Sequence, residues 1–121
     1  MDDALARARR HRDANGPEIL RSFAELLSIP NVAADPEGLQ ENARRIRDAF
    51  LERGVHAATV ALPGAATAVV GRIDGMPGGP RYGVYAHYDG QPADPGAWSS
   101  PPFTPTLRSG PLESGGAEIP F

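Results

Sequence analysis

Residues 81–89 of the chain read Arg-Tyr-Gly-Val-Tyr-Ala-His-Tyr-Asp, and this stretch decides the fold class that the sequence predicts. From Arg81 to His87 the residues form a short, mostly apolar run, which indicates a β-strand. A run of this kind is typical of a central strand that is buried on both faces of a sheet. We therefore expect His87 at the C-terminal end of a buried strand, where the sites of open α/β sheets gather.

Two helices are predicted upstream of this strand. Residues 15–17 read Asn-Gly-Pro, a pattern that favours a helix start, and this helix is expected to end before Pro30. The second helix is expected to begin after Asp35, which is a suitable N-terminal cap, and to end at Gly54. Its apolar stripe consists of Leu39, Ala43, Ile46 and Phe50.

The hydrophobic period changes after the second helix, and two further strands are predicted at residues 55–62 and 67–73. Residues 74–80 are rich in glycine and proline, which predicts a turn. The predicted fold class is therefore α/β, with two helices followed by strands of a mixed sheet. In this division residues 1–14 are a polar extension of the first helix and residues 15–108 a partial catalytic domain. Residues 109–121, rich in glycine, serine and proline, form a tail that is expected to be disordered.

Composition excludes several classes of function. The chain has 121 residues and a formal net charge of −3, which does not suit a nucleic-acid partner. It has no cysteine, so any metal must be bound by histidine and carboxylate side chains. No secretory signal follows the polar N-terminus, and no run approaches the roughly 20 apolar residues that span a bilayer. These observations predict a cytoplasmic protein without a membrane partner.

His87 and Asp89 are the residues whose spacing suggests chemistry. In an extended chain, side chains two residues apart point to the same face. A histidine that binds zinc through one ring nitrogen usually donates its other N–H to a carboxylate, and Asp89 is placed to be that carboxylate. Spacing alone leaves two interpretations open, a structural histidine at a strand end and a metal ligand.

A longer string extends the pattern. Residues 85–95 read Tyr-Ala-His-Tyr-Asp-Gly-Gln-Pro-Ala-Asp-Pro, and Trp98 and the Pro102-Phe103 pair follow. This string resembles the first metal-site motif of the di-zinc metallopeptidases, a family of carnosinase-like dipeptidases, glutamate carboxypeptidases, succinyl-diaminopimelate desuccinylases and aminoacylases. Residues 23–30 and 51–54 are similar to the ends of the family's first two helices.

The resemblance implies a function and a set of roles. His87 would bind one of two zinc ions, and Asp89 would be the active-site carboxylate that holds this histidine. A metal-activated water would attack the carbonyl of a peptide or an N-acyl amino acid. The chain would then be the N-terminal portion of a zinc-peptidase catalytic domain, incomplete because the family's other ligands lie further along.

The sequence also departs from the family's motif. Ala86 stands where the family has glycine and Gly90 where it has valine. Ile119 falls where the aspartate that bridges the metals is expected, and Glu118 is one position away. With one clear ligand, the chain is expected to hold at most one zinc ion, weakly. The alternative is an inactive remnant that acts as an interaction protein and self-associates through unpaired sheet edges. Whether the chain alone is an enzyme stays open.

Overall fold

The computed structural model describes residues 2–61 and 63–121 and shows a mixed α/β chain. Two helices come first, and short antiparallel strands in small sheets follow. The described residues divide into two compact units, one of residues 29–97 and one of residues 2–28 with 98–121. The predicted order of two helices before strands is confirmed. Leu62, at the end of a predicted strand, lies outside the described residues.

The first helix, α1, spans Asp2–Leu27 and is interrupted at Asn15. Asn15 has φ −118° and ψ 15°, which is outside the helical range, and its side-chain amide donates to the carbonyl of His11 at 2.8 Å. Pro17, two residues later, has no N–H to give to the helix. The predicted helix start at residues 15–17 is therefore observed as an interruption within a longer helix.

The second helix, α2, spans Pro36–Glu52 and has the predicted ends. Asp35 caps it, because its Oδ1 accepts a hydrogen bond from the backbone N–H of Gly38 at 3.1 Å. After the helix, Gly54 adopts φ +75°, the left-handed conformation that glycine enters at low cost. The cap at Asp35 and the stop at Gly54 depend on neighbouring residues only, so both helix ends could be predicted from the sequence.

The core of the described residues is small and centres on α2. Leu39 and Ala43 are its buried apolar side chains, at 6% and 1% exposure. Between them Asn42 is buried at 3% exposure, and its amide donates to the carbonyls of Pro30 and Gly38, both at 2.9 Å. One polar side chain thus joins the first turn of α2 to the segment that precedes it.

Strands β1, His56–Val60, and β2, Ala68–Arg72, form an antiparallel pair beside α2. In their register Ala58 is opposite Val70. The sheet approaches the helix closely at Gly71, where a Cβ atom would lie 3.1 Å from the ring of Phe50. Both strands fall inside the predicted ranges.

The prediction of a buried strand at Arg81–His87 is wrong. Residues 80–89 run without a turn or bend but pair with no described strand. Tyr82, Val84 and Tyr85 are 87%, 95% and 83% exposed. An apolar run becomes a central strand only when strands flank it on both sides, and the described residues supply none here.

The unit of residues 2–28 and 98–121 contains a small hairpin. Strand β3, Leu107–Arg108, pairs with β4, Glu118–Ile119, and the Arg108 guanidinium is 3.1 Å from Glu118 Oε1. Residues 109–121, for which the composition predicts disorder, supply β4 and a 3₁₀ turn at Leu112–Ser114. Within the described ranges, neither helix is long and apolar enough to cross a membrane.

Candidate functional site

His87 and Asp89 contact each other, as their spacing predicts. His87 Nδ1 lies 3.1 Å from Asp89 Oδ1, and the two side chains are 68% and 45% exposed. A carboxylate can only accept, so this contact places the ring proton on Nδ1. The lone pair of Nε2 is then directed away from Asp89, as in histidines that bind metals or accept protons.

Tyr85 is a third member of the site, which the sequence motif did not identify. Its hydroxyl lies 3.2 Å from His87 Nε2, and its ring meets the imidazole edge to face at a centroid distance of 5.1 Å. In the tautomer that Asp89 selects, the Tyr85 hydroxyl donates to Nε2. The spacing of two residues between Tyr85 and His87 is the signal that could have found it, since the same spacing identified Asp89.

The three side chains form a ladder on one side of an extended segment. Contacts between residues 85 and 87 and between residues 87 and 89 follow the period of two that an extended backbone imposes. Tyr88 belongs to the opposite side, where its hydroxyl donates to the backbone carbonyl of Thr67 beside β2. Tyr88 therefore ties the site-bearing segment to the sheet.

Asn31 anchors the C-terminal end of this segment, which sequence reasoning did not foresee. The side-chain amide of Asn31 donates to the backbone carbonyl of Tyr88 at 2.8 Å. The backbone carbonyl of Asn31 accepts a hydrogen bond from the N–H of Gly90 at 2.7 Å. The N–H of Ala33 donates to the carbonyl of Gly90 at 3.0 Å, which completes a parallel bridge. A Cβ atom on Gly90 would lie 2.8 Å from Asn31 Oδ1, so a larger residue here would displace the Asn31 side chain.

The tie through Tyr88 predicts a loss of stability at alkaline pH. Burial raises the pKa of Tyr88, and the negative charge of Asp89 raises it further. The unfolded chain therefore loses this proton first, so the contribution of Tyr88 to stability is present below about pH 10 and is lost as the pH rises through the raised pKa. Urea unfolding of the wild type should show this loss as the pH rises above about 10, the ordinary pKa of tyrosine.

Two variants test the assignment to Tyr88. Tyr88→Phe lacks the ionisable group and should lose less stability over the same pH range. Tyr82→Phe is the matched control, because Tyr82 is 87% exposed and has no such tie. Equal alkaline losses in the wild type and in Tyr88→Phe would contradict the assignment.

The side chains at this site can supply one metal ligand, which is fewer than a complete zinc site needs. Among residues 2–61 and 63–121, no group of three His, Cys, Asp or Glu side chains is placed to hold a metal ion. A catalytic zinc site normally has three protein ligands. Asp89 faces Nδ1 of His87, so this pair offers one nitrogen, Nε2. The arrangement can ligate a metal through Nε2 or accept a proton there.

Comparison with known proteins adds no relative. No family model, no curated protein and no solved structure matches the chain. What the site can do therefore follows from its own geometry and from the motif in the sequence.

Proposed function

We propose that this chain contributes His87 as a ligand to the zinc site of a dipeptidase- or carboxypeptidase-type hydrolase. The observation that carries the proposal is the 3.1 Å contact between His87 Nδ1 and Asp89 Oδ1. It fixes the tautomer that leaves Nε2 as the metal-binding atom and makes the imidazole a better ligand. The motif around these two residues supports the same class of site.

The chain's own residues have distinct roles in this proposal. Asp89 orients the imidazole, and Asn31 holds the backbone on both sides of Asp89 through Tyr88 and Gly90. The Tyr85 hydroxyl has to leave Nε2 before that atom can bind a metal. Zinc in such a site would supply a Lewis acid and an activated water for hydrolysis of a peptide or an N-acyl amino acid. Among the described residues, His87 is the one ligand that this proposal assigns to the zinc.

The experiment that tests this function uses the polypeptide that the source cells make. A tag introduced at its N-terminus allows purification, and the product is assayed against dipeptides and N-acyl amino acids. We expect zinc-dependent hydrolysis that a chelator removes and added zinc restores. Substitution of His87 by alanine in the gene should abolish it, whereas His56→Ala, at a second exposed histidine near an aspartate, should not.

Two results would contradict the proposal. One is hydrolysis that survives His87→Ala, which would place the metal elsewhere. The other is a product that binds no zinc and hydrolyses none of these substrates.

A second candidate function, that of an interaction protein, is favoured by an observation of a different kind. Between β2 and the site, Ile73, Met76 and Tyr82 are 74%, 86% and 87% exposed. Exposed apolar residues close together on a surface mark sites of protein interaction. A chain that binds no zinc but forms a defined complex through these residues would fit this candidate.

A further inference from the structure

Residues 81–89 form an extended segment with a free edge. Pro80 precedes it and has no N–H to pair, and at the other end both backbone groups of Gly90 are bonded to the segment at residues 31–33. No backbone–backbone hydrogen bond joins residues 81–89 to another described residue. Such unpaired edges are templates for pairing with another chain.

The direction of the free backbone groups follows from the bonds that exist. In extended chains, successive residues direct their N–H and C=O groups to opposite edges. The carbonyl of Tyr88 and both groups of Gly90 face residues 31–33. The odd-numbered residues from 81 to 89 therefore direct theirs to the other edge, which no described residue covers.

The opposite charges at the two ends of the segment favour a second copy of this chain as the partner. Two copies of one strand that pair antiparallel about a two-fold axis place residues equidistant from the axis opposite each other. For a segment bounded by residues 81 and 89, the axis passes through Tyr85, and Arg81 lies opposite Asp89 of the second copy. Opposite charges directly across an antiparallel pair are stabilising. If the axis passed through Val84 instead, Arg81 would lie opposite His87 and Pro80 would enter the ladder.

We propose that residues 81–89 are a self-association site, at which a second copy of this chain pairs antiparallel about Tyr85. Tyr85 then lies opposite its own copy, Tyr82 opposite Tyr88, and Val84 opposite Ala86. Aromatic pairs across strands add to the stability of such a ladder. This proposal rests on the exposed edge and its charges, and it requires neither zinc binding nor hydrolysis.

The expected dimer is weak. The tyrosines at positions 82 and 85 are more than four-fifths exposed, and each can bury about 150–250 Å². In a pair of chains they would contribute about 600–1,000 Å², less than the roughly 1,200–2,000 Å² of stable specific interfaces. Sedimentation velocity should therefore show a monomer at low micromolar concentration and a dimer as the concentration rises.

Single cysteines test the register, because the chain has none of its own. Residues that pair through hydrogen bonds across an antiparallel ladder have Cα atoms about 5.5 Å apart, within the reach of a disulfide. Tyr85→Cys should therefore form a covalent dimer with oxidised glutathione. Val84→Cys is the matched control. In this register the two copies of residue 84 are diagonal to each other, about 7–8 Å apart, which is too far for a disulfide without backbone movement. Faster crosslinking of Val84→Cys would overturn the register.

A charge reversal tests the association without a crosslink. Arg81→Glu places a carboxylate opposite Asp89 of the second copy and should weaken the dimer by about tenfold. Arg72→Glu makes the same charge change on β2, outside the segment, and should leave the dimer unchanged. Equal effects of the two reversals, or a wild-type chain that stays monomeric at all concentrations, would overturn the proposal. A complex with an unrelated protein in place of the dimer would do the same.

Discussion

Replacing His87 by alanine is expected to remove the strongest zinc-binding site of this chain. His87 is the histidine whose Nδ1 contacts a carboxylate at hydrogen-bonding distance, 3.1 Å, whereas His56 Nε2 is 3.8 Å from Asp74. The carboxylate contact orients the ring and strengthens the other nitrogen as a ligand. His56→Ala is the matched control and should leave the affinity unchanged, since both histidines are exposed and both lie near an aspartate.

Substitutions of Asp89 and Tyr85, the two residues that contact His87, should change its zinc affinity in opposite directions. Asp89→Asn removes the carboxylate charge and should weaken binding about tenfold, at the low end for such partners because the pair is exposed. Tyr85→Phe removes a hydrogen bond to Nε2 that zinc has to displace. It should strengthen binding by about twofold to tenfold, which corresponds to the net value of one hydrogen bond.

Histidine side-chain NMR during a zinc titration measures these effects residue by residue. The chain has three histidines, so each ring signal can be assigned by substitution. The signals of His87 should shift first. If the signals of His56 or His11 shift at lower zinc concentration, or if Tyr85→Phe and Asp89→Asn act in the same direction, the assigned geometry is wrong.

Replacing Asn42 by aspartate is expected to unfold the unit of residues 29–97 near neutral pH. The side-chain amide of Asn42 is buried and donates to backbone carbonyls of Pro30 and Gly38. A carboxylate in its place would direct negative charge at those oxygens without water to screen it. We expect a loss of at least about 3 kcal/mol, which is large for a unit with so few buried side chains.

The control for this substitution lies on the same helix. Gln40→Glu makes the same change from amide to acid at an exposed position and should change the melting temperature little. Lowering the pH to about 4 should partly restore the Asn42→Asp variant, because a protonated carboxyl can donate one hydrogen bond. Similar melting of both variants at neutral pH, followed by circular dichroism, would refute the role assigned to Asn42.

The sequence predicts the parts of this fold that depend on near neighbours. Asp35 and Gly54 mark the ends of α2 through interactions within a few residues. The contact between His87 and Asp89 follows from a spacing of two in an extended chain. These features need no knowledge of the rest of the molecule, so composition and order were sufficient to find them.

The features that the sequence did not predict depend on distant residues. The run from Arg81 to His87 has the composition of a central strand, but burial requires flanking strands that the described residues do not provide. Asn31 reaches Tyr88 across 57 positions, and no periodic pattern points to that contact. Tyr85 was within reach of the spacing argument and was missed because tyrosine usually packs.

The turn at residues 74–80 connects β2 to the site, and each of these parts is held by contacts outside the turn. β2 is held by β1, and the site is held by Asn31 and Thr67. Between them, Gly78 and Gly79 are exposed, and a Cβ atom on Gly78 would meet nothing within 4 Å. A peptide tag or a fluorophore-binding sequence inserted between these glycines should therefore leave the contacts of Asn31 and Thr67 with the site intact, which places a reporter in the turn that precedes the site.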